Sequence, residues 1–131
     1  MAGREPPAEE PPGRHLDEFT LTFPDRPENL VCARLFAASV ARHLGSGEEQ
    51  VEDLKLAVSE ACTNAIQLGA GDPVTVQIVP DGGTVTVRIG TVDPAPEFLG
   101  FNIIEALFGA IVFDPAEGPS TIEFSFRPEP E

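Results

Sequence analysis

Phe19 to Phe23 reads F-T-L-T-F, apolar and polar in alternation. A period of two predicts a strand with Phe19, Leu21 and Phe23 on one face, ended by Pro24. Asp25-Arg26-Pro27-Glu28-Asn29 follows, with Asp25 as a helix cap or Pro27 as the first helical residue. The period then changes. Leu30, Ala33, Ala37, Val40, Ala41 and Leu44 recur at helical spacing, and Cys32, Leu35 and Phe36 widen that stripe. Gly45-Ser46-Gly47 ends this helix and opens a second, from about Glu48 to Leu68. Its first turn is acidic, which suits the positive end of a helix dipole. Val51, Leu54, Val58, Ala61, Cys62 and Ala65 form its buried stripe, and Gly69 to Pro73 terminates it.

Val74–Val79 and Thr84–Ile89 alternate again and are rich in β-branched residues. Pro80-Asp81-Gly82-Gly83 between them has a hairpin signature, so the two strands are expected to be antiparallel. A Pro-rich link, Gly90 to Glu97, leads to a short helix over Phe98–Phe108. That helix is apolar nearly all round, with Asn102 and Glu105 as its polar marks. Ala110–Phe113 is expected as a brief strand. Thr121–Phe126 is expected as a last one, with Ile122, Phe124 and Phe126 on one face. The order β-α-α-β-β-α-β-β, without repeats, implies an α+β or α/β two-layer sandwich with helices on one face of a mainly antiparallel sheet.

The remaining composition narrows the classes of function. The chain has 131 residues, one domain's worth, with 41% apolar residues and an aromatic complement of nine Phe. Eight Lys and Arg against 22 Asp and Glu leave a net charge of −14. Nucleic-acid binders and anionic membrane surfaces both call for cationic side chains, so direct binding to either is disfavoured. No apolar run reaches the length of a membrane span, and the opening residues lack a secretion pattern, which makes the cytoplasm the expected compartment. Residues 1–17 are acidic, with four Pro in the first twelve, and are expected to form a disordered tail. Residues 128–131 are read as a second, short tail. Cys32 and Cys62 are expected to be reduced core residues, and with His15 and His43 they do not make a zinc site.

The segment from Asp53 to Gly69 carries the candidate chemistry. Glu60 is the only formal charge between Leu56 and Leu68. At about 100° per residue, Glu60 lies roughly 200° and Asn64 roughly 240° from Val58, so the two share a face opposite the buried stripe. A neutral amide oxygen suits a hard cation such as Mg²⁺, and a carboxylate one turn earlier can orient or deprotonate a hydroxyl beside it. On spacing alone, the plain reading of this pair is the solvated side of an amphipathic helix. Other candidates are weaker. Ser59 and Thr63 have no His or Lys nearby in sequence to activate them. His43 suits a helix C-terminus. Asp81-Gly82-Gly83 is a turn that no helix follows.

The string E-A-C-T-N-A, Glu60 to Ala65, closely resembles the nucleotide-binding N-box of the gyrase/histidine-kinase type ATPases. More narrowly, it is similar to that of bacterial anti-sigma factors that double as serine-protein kinases. The leading strand ending at Pro24, P-E-N-L at Pro27–Leu30, two helices, and L-G-F-N-I-I-E-A-L-F at Leu99–Phe108 occur in the family's order. So do I-V-F-D and T-I-E-F-S-F, which resemble its final strands. The resemblance covers Phe19 to Arg127 and implies the histidine-kinase-like ATPase fold, an α+β two-layer sandwich. It implies ATP and Mg²⁺ as cofactors, a sigma factor and a small STAS-type anti-anti-sigma protein as partners, and a homodimer. Carried over by position, Glu60 is the base-like catalytic residue and Asn64 the Mg²⁺ ligand. Gly100 lets backbone approach the phosphates.

The chain also departs from the pattern. Where the family reads adenine with D-x-G-x-G, it has Ile89-Gly90-Thr91-Val92-Asp93-Pro94, leaving Asp93 as the candidate a few residues late. The lid before the glycine box is missing, Leu68 replaces a histidine, and Lys55, Arg88 and Arg127 are the only Lys or Arg after Arg42. Phosphoryl transfer depends almost wholly on positioning and electrostatics. The expectation is therefore an anti-sigma regulator acting by protein binding with a reduced or lost ATP site. The alternatives are an active ATP–Mg²⁺-dependent serine kinase and, more weakly, a partner of another regulatory domain.

Overall fold

The computed structural model describes residues 17–115 and 118–131. The expected N-terminal tail, residues 1–17, lies outside the described residues except for Asp17. Residues 128–131, expected as a second tail, are described and hydrogen-bond to Gly47 and Glu48 instead of hanging free. The strands are β1 (Phe19–Phe23), β2 (Val74–Asp81), β3 (Thr84–Val92), β4 (Val112–Asp114) and β5 (Ser120–Phe126). The helices are α1 (Leu30–His43), α2 (Glu48–Leu68) and α3 (Gly100–Phe108), with a 3-10 turn at Pro27–Asn29 before α1. The strands form one sheet in the order β1-β2-β3-β5-β4, and every neighbouring pair is antiparallel. This is the expected α+β arrangement.

Alternation along the strands places Val74, Val76, Ile78, Val85, Val87, Ile89, Ile122, Phe124 and Phe126 in the core. Thr75, Gln77, Thr86 and Arg88 take the intervening, less buried positions. The helices cover the apolar face, with α2 packed against both α1 and α3 and against β3. Ala33, Ala37, Ala38 and Ala41 are buried on α1, and their small side chains let it lie close to Val51, Leu54 and Val58 of α2. A chain of rings anchors α3. Phe101 meets Phe98 edge-on at 4.9 Å and Phe113 at 5.0 Å, while Phe108 stacks on Phe124 at 5.2 Å.

Several local expectations need correction. Leu35 is 65% exposed and Cys32 is also exposed. The buried stripe of α1 is narrow, and Leu35 lies about 200° around the helix from both Ala33 and Ala37. The last helix begins at Gly100 rather than Phe98, and Phe98 N–H instead donates to Ala95 O at 3.1 Å, closing a turn in the link. The fourth strand is Val112–Asp114 rather than Ala110–Phe113. Most consequentially, β3 continues three residues past Ile89. Its pairing with β5 shifts register between Gly90 and Val92, an irregularity that alternation alone does not signal.

Candidate functional site

The extension of β3 delivers Asp93 to α2. Asn64 is 5% exposed and makes two hydrogen bonds to that one residue. Its Oδ1 accepts from Asp93 N–H at 2.6 Å, and its Nδ2 donates to Asp93 O at 2.9 Å. The side-chain amide thus pairs with the N–H and C=O of one residue much as a neighbouring strand would, just beyond the end of β3. Pro94 and Pro96 follow and offer no N–H of their own.

One turn back on α2, Glu60 is half-buried and reaches the start of α3. A Cβ added at Gly100 would sit 2.5 Å from Glu60 Oε1 and 2.7 Å from Phe98 Cζ. No larger residue fits at Gly100 without displacing those neighbours. Glu60, Asn64, Asp93 and Gly100, named from sequence, therefore lie along one seam between α2, the end of β3 and the start of α3.

Beside Asn64 is a hollow of about 290 Å³ lined by Gln67, Leu68, Asp93, Ala95, Glu97 and Phe98. It contains two carboxylate residues and no Lys or Arg. The described cations are placed elsewhere. Lys55 pairs with Glu52 at 3.2 Å, Arg42 with Glu48 at 2.8 Å, and Arg88 with Glu123. Arg34 Nε donates to Ser59 Oγ at 3.3 Å. No group of three or more His, Cys, Asp or Glu is placed to hold a metal among the described residues.

ATP with Mg²⁺ is the group the resemblance implies, and the seat as arranged does not fit it. The amide assigned to the metal is engaged with backbone, the space over Gly100 is filled, and the adjoining hollow carries negative charge without a counter-cation. A triphosphate needs metal, oriented donors or cationic side chains to balance its charge.

Two contributors escaped the sequence reading. The apolar run from Phe98 to Phe108 places Phe98 in the helix, although an aromatic two residues before a glycine at the end of a Pro-rich link is also a signal for a ring folded back on it. Glu97 lines the hollow with no sequence signal beyond its charge. Cys62 sits in the buried stripe, where burial pushes its thiol up to about 12, and it is unsuited to act as a nucleophile. No described helix is long and apolar enough to cross a membrane.

Comparisons with known proteins agree with this architecture. The segment 23–102 matches the family described as the histidine kinase-like ATPase domain. The serine-protein kinase RsbW of Bacillus velezensis is 36% identical over 84 residues, 64% of this chain and 48% of that protein. RsbW of Bacillus subtilis strain 168 is 34% identical over 85 residues, 65% of this chain and 49% of that protein. RsbW of Bacillus pumilus is 46% identical over 52 residues, 40% of this chain and 32% of that protein. The chain thus spans about half the length of these curated relatives or less. With a five-stranded antiparallel sheet under three helices among the described residues, and a family match over more than half its length, this chain belongs to the histidine kinase-like ATPase domain family.

Proposed function

We propose that the chain is an anti-sigma regulatory factor-like protein that controls a sigma factor by direct binding, with a reduced or lost ATP site. The observation that carries this reading is the helical layer's exposed apolar surface. Val31 and Leu35, one turn apart on α1, are 51% and 65% exposed, and Leu56 on α2 is 43% exposed. Arg34, next to Leu35, reaches Ser59, one turn along from Leu56. Exposed aliphatic groups on a well-packed sandwich mark a surface that associates with protein. The net charge of −14 favours a partner with basic patches and speeds encounter with it. A small STAS-type anti-anti-sigma protein is the second partner, self-association into a homodimer is a further use of the same layer, and the cytoplasm is where these partners meet.

The test is association of the purified chain with candidate sigma factors and STAS-type proteins, followed by size-exclusion chromatography and calorimetry. A stable complex that weakens in Leu35→Ser supports the proposal. No association with any sigma factor of the source organism overturns it.

The second reading is a serine-protein kinase acting on the anti-anti-sigma protein, with Glu60 as the base, Asn64 as the Mg²⁺ ligand, Asp93 on adenine and Gly100 at the phosphates. What favours it is the convergence of those four residues on one seam. Transfer of labelled phosphate from ATP–Mg²⁺ to a STAS-type serine is its test.

A further inference from the structure

We propose that the link from Asp93 to Phe98 is a built-in plug that takes the place of nucleotide, and that Asn64 is its latch. Two separate observations meet here. Both polar atoms of the Asn64 side chain are bonded to the backbone of Asp93, Oδ1 accepting from its N–H at 2.6 Å and Nδ2 donating to its C=O at 2.9 Å. The space over Gly100 is filled by the Phe98 ring and by Glu60 Oε1. The three positions that the resemblance assigns to base, metal and phosphate are thus all engaged by the chain itself.

The plug is short and stiff. Pro94 and Pro96 restrict its backbone, and the Phe98 N–H bond to Ala95 O closes it into a turn. Phe98 is held from the other side by Phe101, whose ring packs on Phe113 of β4. One end of the link is therefore clamped to α2 and the other to the ring cluster beneath α3. Charge acts in the same direction, since Asp93 and Glu97 line the adjoining hollow and no Lys or Arg does. A nucleotide would have to break the paired bonds of Asn64, expel the ring and bring phosphates against these carboxylates.

The consequence is a protein whose shape and partner binding do not respond to ATP. The plug rests on the proposed loss of the ATP site and on the family's placement of nucleotide, and whether a sigma factor binds is a separate measurement.

Amide exchange followed by NMR on the full chain reads the latch directly. In the wild type the Asp93 amide is expected to exchange slowly, at a rate unchanged by millimolar ATP–Mg²⁺. Asn64→Ala is expected to speed it about tenfold or more, the factor that corresponds to loss of one hydrogen bond of ordinary net strength. Asn64→Asp separates latch from ligand. A carboxylate keeps or strengthens a metal site but loses the donor to Asp93 O, so the latch reading expects a lower Tm without nucleotide and no gain in Mg²⁺ affinity. If ATP–Mg²⁺ accelerates exchange at Asp93 or raises the Tm of the wild type, the plug is displaceable and the inference falls. The wild-type arm decides the matter even where a variant fails to fold.

Discussion

Glu131 caps a helix that begins 83 residues earlier in the chain: its Oε2 accepts a hydrogen bond from Glu48 N–H at 2.7 Å. Helix α2 starts at Glu48 behind Gly47, which has no side chain to satisfy the first free N–H groups. The segment from Arg127 to Glu131 supplies what is missing. Gly47 N–H donates to Glu129 O at 2.8 Å, Glu129 N–H to Gln50 Oε1 at 2.9 Å, and Gln50 Nε2 to Arg127 O at 2.9 Å. The absence of a side chain at Gly47 also makes room, since a Cβ there would lie 2.7 Å from Glu131 N.

Glu131→Ala is therefore expected to lower stability by about 0.5–2 kcal/mol, the range for loss of a helix N-cap. Urea unfolding checks the magnitude, and faster amide exchange at Glu48 locates the effect. Gly47→Ala is expected to displace the strap and speed exchange at the same amide.

Gly100→Ala forces the Phe98 ring and the Glu60 carboxylate to give way, an overpacking cost of about 1–3 kcal/mol. In a Phe98→Ala background most of the obstruction is gone, so the double variant is expected to be more stable than the two single losses added together. A double-mutant cycle by chemical denaturation measures that coupling.

The two cysteines differ in exposure and are expected to differ in reactivity. Cys32 is exposed, Cys62 is buried, and burial holds the Cys62 thiol up to about 12. The thiolate is the reactive species, so a chromogenic disulfide reagent should titrate one thiol in the native protein and the second only on unfolding. Linkage gives an alkaline effect with a definite sign. The folded state keeps the Cys62 proton that the unfolded chain releases near 9.0, so this stabilisation is complete below 9.0 and is lost as pH rises toward about 12. Cys62→Ala is expected to flatten that alkaline limb in unfolding curves taken across pH.

Ile104 and Leu35 separate core from surface among aliphatic positions. Ile104 is fully buried and Leu35 is 65% exposed. Ile104→Ala is expected to cost about 2–5 kcal/mol through lost burial and the cavity it leaves. Leu35→Ser is expected to stay within about 0.5 kcal/mol of the wild type in unfolding and to act on partner association instead.

Phe98 shows where reading the chain locally fails. Its neighbours Leu99 to Phe108 carry a helical pattern, and continuing that pattern one step backward absorbed Phe98 into the helix. Its approach to Gly100 and its contact with Phe101 depend on how the link folds back, which no periodicity records. Leu35 fails for a related reason. Hydrophobicity placed it in the stripe, but only the position of α2 determines which side of α1 is covered.

The chain by itself determined the elements, their order, the inward faces of the strands and the α+β sandwich. Those follow from periods of two and 3.6 that each segment carries locally. It also singled out Glu60 and Asn64 as candidates through the E-A-C-T-N-A string, Gly100 through the resemblance of Leu99–Phe108, and Asp93 only as a displaced candidate where the family pattern breaks. Tertiary structure alone decided what those residues touch. A register irregularity between Gly90 and Val92 brings Asp93 to Asn64, a backfolded ring covers Gly100, and Glu131 crosses to the start of α2. The first and last join residues 29 and 83 positions apart, and the ring over Gly100 is set by how the link folds back beside Glu60; hydrogen bonding and packing of this kind come into play only in the assembled fold.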